Sequence, residues 1–97
     1  MARGYWIGHV EVHDPETYAK YIETATPAYR EFGARFLVRG GSFEAPEGAE
    51  LGARHVVIEF ESLERAKACY DSETYRRARE YRQKASTGHI IIVEGTQ

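Results

Sequence analysis

The sequence predicts an α+β fold in the order βαββαβ, a four-stranded antiparallel sheet with both helices on one face. Three observations carry this. Four short segments alternate side by side with period two. Two longer segments repeat apolar residues every three or four positions. The breaks between them hold Pro, Gly, Asp or Ser. At 97 residues, positions 1–97 make a single domain with no room for a second.

The first strand runs from Gly4 to Val12. Trp6, Gly8, Val10 and Val12 share one side, and Tyr5, Ile7, His9 and Glu11 the other. Asp14 is placed to cap a helix, and Pro15 suits its first turn, where a missing N–H costs nothing. Residues 15–32 follow helical spacing through Tyr18, Tyr21, Ile22, Ala25, Ala28, Tyr29 and Phe32. Pro27 lies inside this run, so a kink or break is expected near Ala25. Gly33 is a fitting stop.

Residues 34–39 form the second strand, with Phe36 and Val38 on one side and Arg35, Leu37 and Arg39 on the other. Gly40-Gly41 interrupts it, and 42–52 reads as a long hairpin loop. Residues 53–61 form the third strand: Val56, Ile58 and Phe60 on one side, His55, Val57, Glu59 and Glu61 on the other. Ser62 is a candidate N-cap for a helix carrying Ala66, Cys69 and Tyr70 inward. Asp71-Ser72 is a candidate break, with Ser72 capping a second piece through Tyr75, Ala78 and Tyr81. Thr87-Gly88 ends the helical region, and 89–94 is the last strand, with isoleucine at 90, 91 and 92.

This order is the ferredoxin-like arrangement. Antiparallel sheets often leave one face wet, but this one is apolar on both. With Trp6, Val10, Phe36, Val38, Val56, Ile58, Phe60, Ile91 and Val93 turned to the helices, the other face shows Tyr5, Ile7, Leu37, Val57, Ile90 and Ile92. Burying one aliphatic side chain contributes about 1.5–3 kcal/mol, so such a patch calls for a cover. The economical cover is a second copy of the chain, giving a homodimer through the open sheet face.

Composition narrows the classes. Thirteen Lys and Arg against fifteen Asp and Glu give a net charge of −2, which argues against nucleic acid as a partner. A lone cysteine excludes an internal disulfide. No apolar run approaches the roughly 20 residues of a membrane span. The chain opens directly into patterned sequence, so no leader is expected and the expected location is cytoplasmic.

Several segments resemble one family over nearly the whole chain. They are Gly4-Tyr5-Trp6, Asp14-Pro15-Glu16, Ala25-Thr26-Pro27, Arg35 through Gly41, Val57 through Phe60, Tyr70 through Tyr75 and Ile92 through Gly95. The pattern resembles the domain-of-unknown-function 1330 family, within the dimeric α/β-barrel superfamily. Cys69 stands where relatives often carry Trp, and Glu73 where they carry Pro. The resemblance implies a ferredoxin-like protomer and a face-to-face dimer. It also implies, by analogy with cofactor-free monooxygenases and related superfamily enzymes, a pocket between sheet and helices.

Two pocket locations compete. On the non-helical face, His9, Arg39 and Glu59 are expected to converge across adjacent strands, with His55 further along. Arginine would hold a carboxylate or enolate oxygen, and His9 or Glu59 would move a proton. The plainer reading of the same face is an Arg39–Glu59 ion pair in the dimer interface. On the helical face, Trp6 would line a cavity bordered by Tyr70. Tyr18, Tyr21, Tyr29 and Phe32 read as core. Cys69 reads as a buried structural thiol, and the run Arg76, Arg77, Arg79, Arg82, Lys84 as a solvated helix face.

No metal is expected, because His9, His55 and Glu59 lack the spacing of a ligand motif. No organic cofactor is expected either, since no phosphate-cradling loop is visible. Two functions remain: a cofactor-free enzyme acting on a small apolar or enolisable metabolite, or a dimer that binds a small molecule or another protein without catalysis.

Overall fold

The computed structural model describes residues 2–48 and 52–97. The elements are β1 (Gly4–Val12), α1 (Pro15–Glu31), β2 (Arg35–Arg39), β3 (Arg54–Phe60), α2 (Leu63–Asp71), α3 (Glu73–Ala85) and β4 (Ser86–Glu94). The strands form one antiparallel sheet in the order β2-β3-β1-β4. The helices pack on one face of it, around a core of Trp6, Val10, Ile58 and Phe60 from the strands and Tyr21, Ala25, Ala66, Tyr75 and Ala78 from the helices. The fold is ferredoxin-like, as the pattern predicts. The expected hairpin loop at 42–52 falls partly on residues 49–51, which lie outside the described residues.

Short polar side chains set the helix ends. Asp14 accepts from the Thr17 amide at 3.3 Å and from its hydroxyl at 2.7 Å, satisfying one orphan donor of the first turn. These bonds lower the Asp14 carboxyl from its ordinary value of 3.8. Ser62 accepts from the Arg65 amide at 3.1 Å and starts α2. Ser72 does two jobs. Its hydroxyl donates to the Cys69 carbonyl at 2.7 Å, closing α2, and accepts from the Tyr75 amide at 3.2 Å, opening α3. The expected break at 71–72 is therefore real.

The break expected near Ala25 is not. α1 runs unbroken through Pro27. Proline removes one backbone donor, but Tyr18, Tyr21, Ala25, Ala28 and Tyr29 on both sides of it are buried in the core, and tertiary packing holds the helix together. Gly33, at φ +70°, ends the segment where a left-handed residue is needed.

The last strand starts at Ser86, three residues before its expected start. The Ala85 carbonyl accepts from both the His13 and Asp14 amides, at 2.8 and 3.1 Å, so the chain enters the sheet as it leaves the helix. Gly88 then lies so close to β1 that a Cβ there would meet the His9 carbonyl.

Two strands depart from the expected facing. In β4, Ile92 pairs with Trp6 and Ile90 with Gly8. Directly paired residues share a face, so Ile90 and Ile92 pack on the core, while Ile91 and Val93 are 56% and 40% exposed. The expectation had these pairs reversed. In β2, the register shifts between Phe36 and Val38. Phe36 pairs with Ile58, Val38 with Val57 and Arg39 with Val56. The extra residue inverts the parity. Val38 therefore joins Val57 on the open face, and Arg39 joins Val56 on the helical face. The open face remains apolar through Leu37, Val38, Ile91 and Val93.

Candidate functional site

The bulge dissolves the expected cluster of His9, Arg39 and Glu59. Arg39 has crossed to the helical face, where its guanidinium lies 4.0 Å above the Phe36 ring and lines the cavity between sheet and helices. Glu59 stays on the open face. It accepts from the Tyr5 hydroxyl at 3.0 Å and lies 3.9 Å from Arg3 Nε. The hydrogen bond to Glu59 raises the Tyr5 hydroxyl above its ordinary value. An Arg39–Glu59 ion pair is thus ruled out by position. His9 meets His55, Nδ1 to Nδ1 at 2.9 Å, and Phe43 packs edge-on against His55 with ring centres 4.4 Å apart. Among the described residues no three His, Cys, Asp or Glu side chains are arranged to hold a metal.

The other expected location is a built cavity, of about 40 Å³. Trp6, 2% exposed, forms one wall and donates its indole N–H to the Ala66 carbonyl at 2.9 Å. Tyr75, Phe60 and Tyr70 surround Trp6 at ring-centre distances of 4.8, 5.3 and 5.6 Å. Tyr70 does not line the cavity itself. It borders Trp6 and, with Arg82, a neighbouring groove along β4.

The cavity floor is Gly8. This glycine is buried on the helical side of β1, between Trp6 and Val10. Its φ is not positive, and a Cβ there would meet only Ile90 Cγ1 at 3.5 Å and the His89 carbonyl at 3.7 Å. Neither backbone conformation nor close approach demands a glycine, although glycine inside a strand costs about 0.5–1 kcal/mol relative to alanine. What its missing side chain leaves is space.

Tyr21 and Tyr29 roof the cavity, and Tyr75 joins their hydroxyl cluster without lining it. The Tyr21 hydroxyl lies 3.0 Å from that of Tyr29 and 2.9 Å from that of Tyr75. Burial drives all three hydroxyls well above the ordinary tyrosine value. They remain protonated at any physiological pH, acting as hydrogen-bonding groups and not as bases.

Three arginines complete the lining: Arg39, Arg54 and Arg82. Arg54 lies on the helix-facing parity of β3, and its guanidinium sits 5.5 Å from the Tyr18 ring centre. Arg82 was expected on a solvated face. Instead it falls on the buried stripe of α3, with Tyr75, Ala78 and Ala85. The Nε atoms of Arg54 and Arg82 are buried without a partner among the described residues. Among the described residues no carboxylate lines the cavity.

Cys69 is fully buried with its thiol 3.8 Å from the Ala28 carbonyl, and burial pushes the thiol up to about 12. It is inert, as expected of a structural cysteine. Among the described residues no helix is long and apolar enough to cross a membrane.

Solved structures similar to this chain share its fold. The RPA0582 protein of unknown function from Rhodopseudomonas palustris is 17% identical at a TM-score of 0.76, covering 99% of this chain and 84% of its own. A dimeric ferredoxin-like protein of unknown function from Jannaschia sp. CCS1 is 13% identical at 0.71, covering 98% and 99%. SnoaB, a cofactor-independent oxygenase from Streptomyces nogalater, is 9% identical at 0.67, covering 100% and 96%. No curated protein matches. The family model for the domain of unknown function DUF1330 matches residues 3–96, and the chain belongs to that family.

Proposed function

We propose that the protein is a homodimer in which each chain takes one small, largely apolar molecule into the cavity between sheet and helices, and acts on it without an organic cofactor. The observation that carries this reading is Gly8, a strand-interior glycine whose main effect is to keep the cavity open. Trp6 and Tyr29 supply apolar walls, and Arg39 stands exposed at the edge. Such a lining stabilises negative charge developing on an oxygen, as in the enolate of a carbonyl compound. The Jannaschia protein supports the dimer, and the apolar open face gives it a physical reason.

One observation favours the second reading, binding without turnover. Among the described residues no imidazole or carboxylate lines the cavity, because His9, His55 and Glu59 lie on the opposite face. A proton removed from the ligand must therefore leave to water.

The substitution Gly8→Val tests the cavity. It fills space without backbone strain, so the variant is expected to melt at a higher temperature and to lose the response of Trp6 fluorescence to small ketones. Unchanged binding in the variant contradicts the reading. Deuterium exchange at the α-carbon of acetone, followed by NMR in D₂O, separates the functions. Exchange faster than buffer supports an enzyme, and binding with no acceleration supports a binder.

A further inference from the structure

We propose that the molecule held in the cavity is a monoanion, a small apolar carboxylate, and that Arg82 is the residue that binds its charged end. This rests on the cavity being the ligand site, and it specifies the chemistry of the ligand.

The first argument is charge. Arg82 is 8% exposed, and its Nε is buried without a hydrogen-bond partner among the described residues. The two ion pairs among the described residues, Arg3–Glu59 and Arg77–Glu73, do not involve it. A buried ion without a counter-charge is destabilising. Arginine cannot escape that cost by losing its proton. Arg82 also borders the groove along β4, but its Nε–H is orphaned on the buried side, and an anion there supplies both the missing acceptor and a counter-charge. Arg39 is exposed and Arg54 half-buried, so both are more open than Arg82, although Arg54 Nε is orphaned as well.

The second argument is hydrogen-bond count. Tyr21, Tyr29 and Tyr75 hold three hydroxyl protons, and the two bonds among them use two. Arg82, beside Tyr75 and Tyr21, adds donors and no acceptor. Arg82 already donates to the Tyr75 hydroxyl, yet its Nε–H has no partner among the described residues, and one hydroxyl proton has no acceptor within the cluster. A carboxylate provides up to four lone-pair sites and matches the planar guanidinium fork. Its apolar body would then lie over Gly8 against Trp6, in the one direction where the floor lacks a side chain.

The experiment uses the wild-type protein and three carboxylates of increasing size: formate, acetate and propionate. Each is compared with its neutral amide. Trp6, the only tryptophan, reports binding by fluorescence, and the melting temperature reports it independently. At least one acid is expected to bind tenfold or more tightly than its amide. The substitution Arg82→Met, which keeps the apolar stem, is expected to bring that ratio close to one while leaving amide binding in place. Arg82→Lys, which keeps the charge, is expected to restore part of the ratio. The wild-type comparison stands even if Arg82→Met fails to fold. Equal binding of acids and amides by the wild type overturns the anion proposal and leaves the cavity reading intact. A ratio unchanged in Arg82→Met also overturns the role of Arg82. No response to any of the six compounds overturns both.

Discussion

The two faces of the sheet are both apolar, yet they are unfinished in different ways. The helical face is packed by aromatic rings around Trp6 and lacks only the volume over Gly8. What is missing there is small, and its surroundings are cationic and rich in donors. The open face is lined by aliphatic residues, Val38, Ile91 and Val93 among them, and what is missing there is broad and flat. There Glu59 is already met by Arg3 and Tyr5, and His9 by His55, leaving one orphaned atom among the described residues, His55 Nε2. A gap of a few atoms lined by cations takes a small anion, whereas a flat aliphatic surface takes another surface. Apolarity alone does not separate these cases. The size of the gap and the balance of polar groups do.

The contrast can be broken from either side. The largest effect is expected from Trp6→Ala, which removes the central ring of the helical face. A buried Trp→Ala change costs about 3–5 kcal/mol, a large share of the stability of a small domain, and urea unfolding will show the midpoint fall. An intermediate effect is expected from Ile91→Lys on the open face. The isolated protomer exposes this side chain, so a charge there leaves the helical core untouched and acts on association. Light scattering should give half the wild-type mass, or the melting temperature should lose its dependence on protein concentration. A dimer of unchanged affinity would show that this face is not the interface.

The smallest effect lies outside both faces, at the cap of α1. The Asp14 carboxyl is lowered in the folded protein by its bonds to Thr17. A lowered folded value means that the unfolded chain binds the proton more readily. The contribution is therefore complete above the ordinary value of 3.8 and is lost as pH falls through the lower folded value. Asp14→Asn keeps a capping oxygen but cannot titrate. Its stability should vary less with pH than the wild type's below about pH 4.

Much of the fold is legible in the sequence because local chemistry states it. Asp14, Ser62 and Ser72 mark helix starts by the bonds they make, and alternation gives β1 its bounds. The misreadings arise where the signal is degenerate. Three consecutive isoleucines carry no phase, so only the pairing of Ile92 with Trp6 decides which of them face the core. The bulge between Phe36 and Val38 has no Gly or Pro within it, and it turns Arg39 to the face opposite the one its parity suggests. The site suffers most from this one inversion. Trp6 was placed correctly, and Arg82 was readable: it repeats with Tyr75, Ala78 and Ala85 on the apolar stripe of α3. A cation on such a stripe is a signal in its own right, because burying it needs a reason.

The central claim is that the helical face receives a small anion and the open face a second chain. A crystal structure of the protein grown with acetate tests both halves at once. Ligand density is expected over Gly8, with its carboxylate at Arg82 and its methyl group against Trp6, in protomers packed sheet to sheet through Val38, Ile91 and Val93. An empty cavity with acetate bound elsewhere, or a lattice that leaves the open face to solvent, would contradict it.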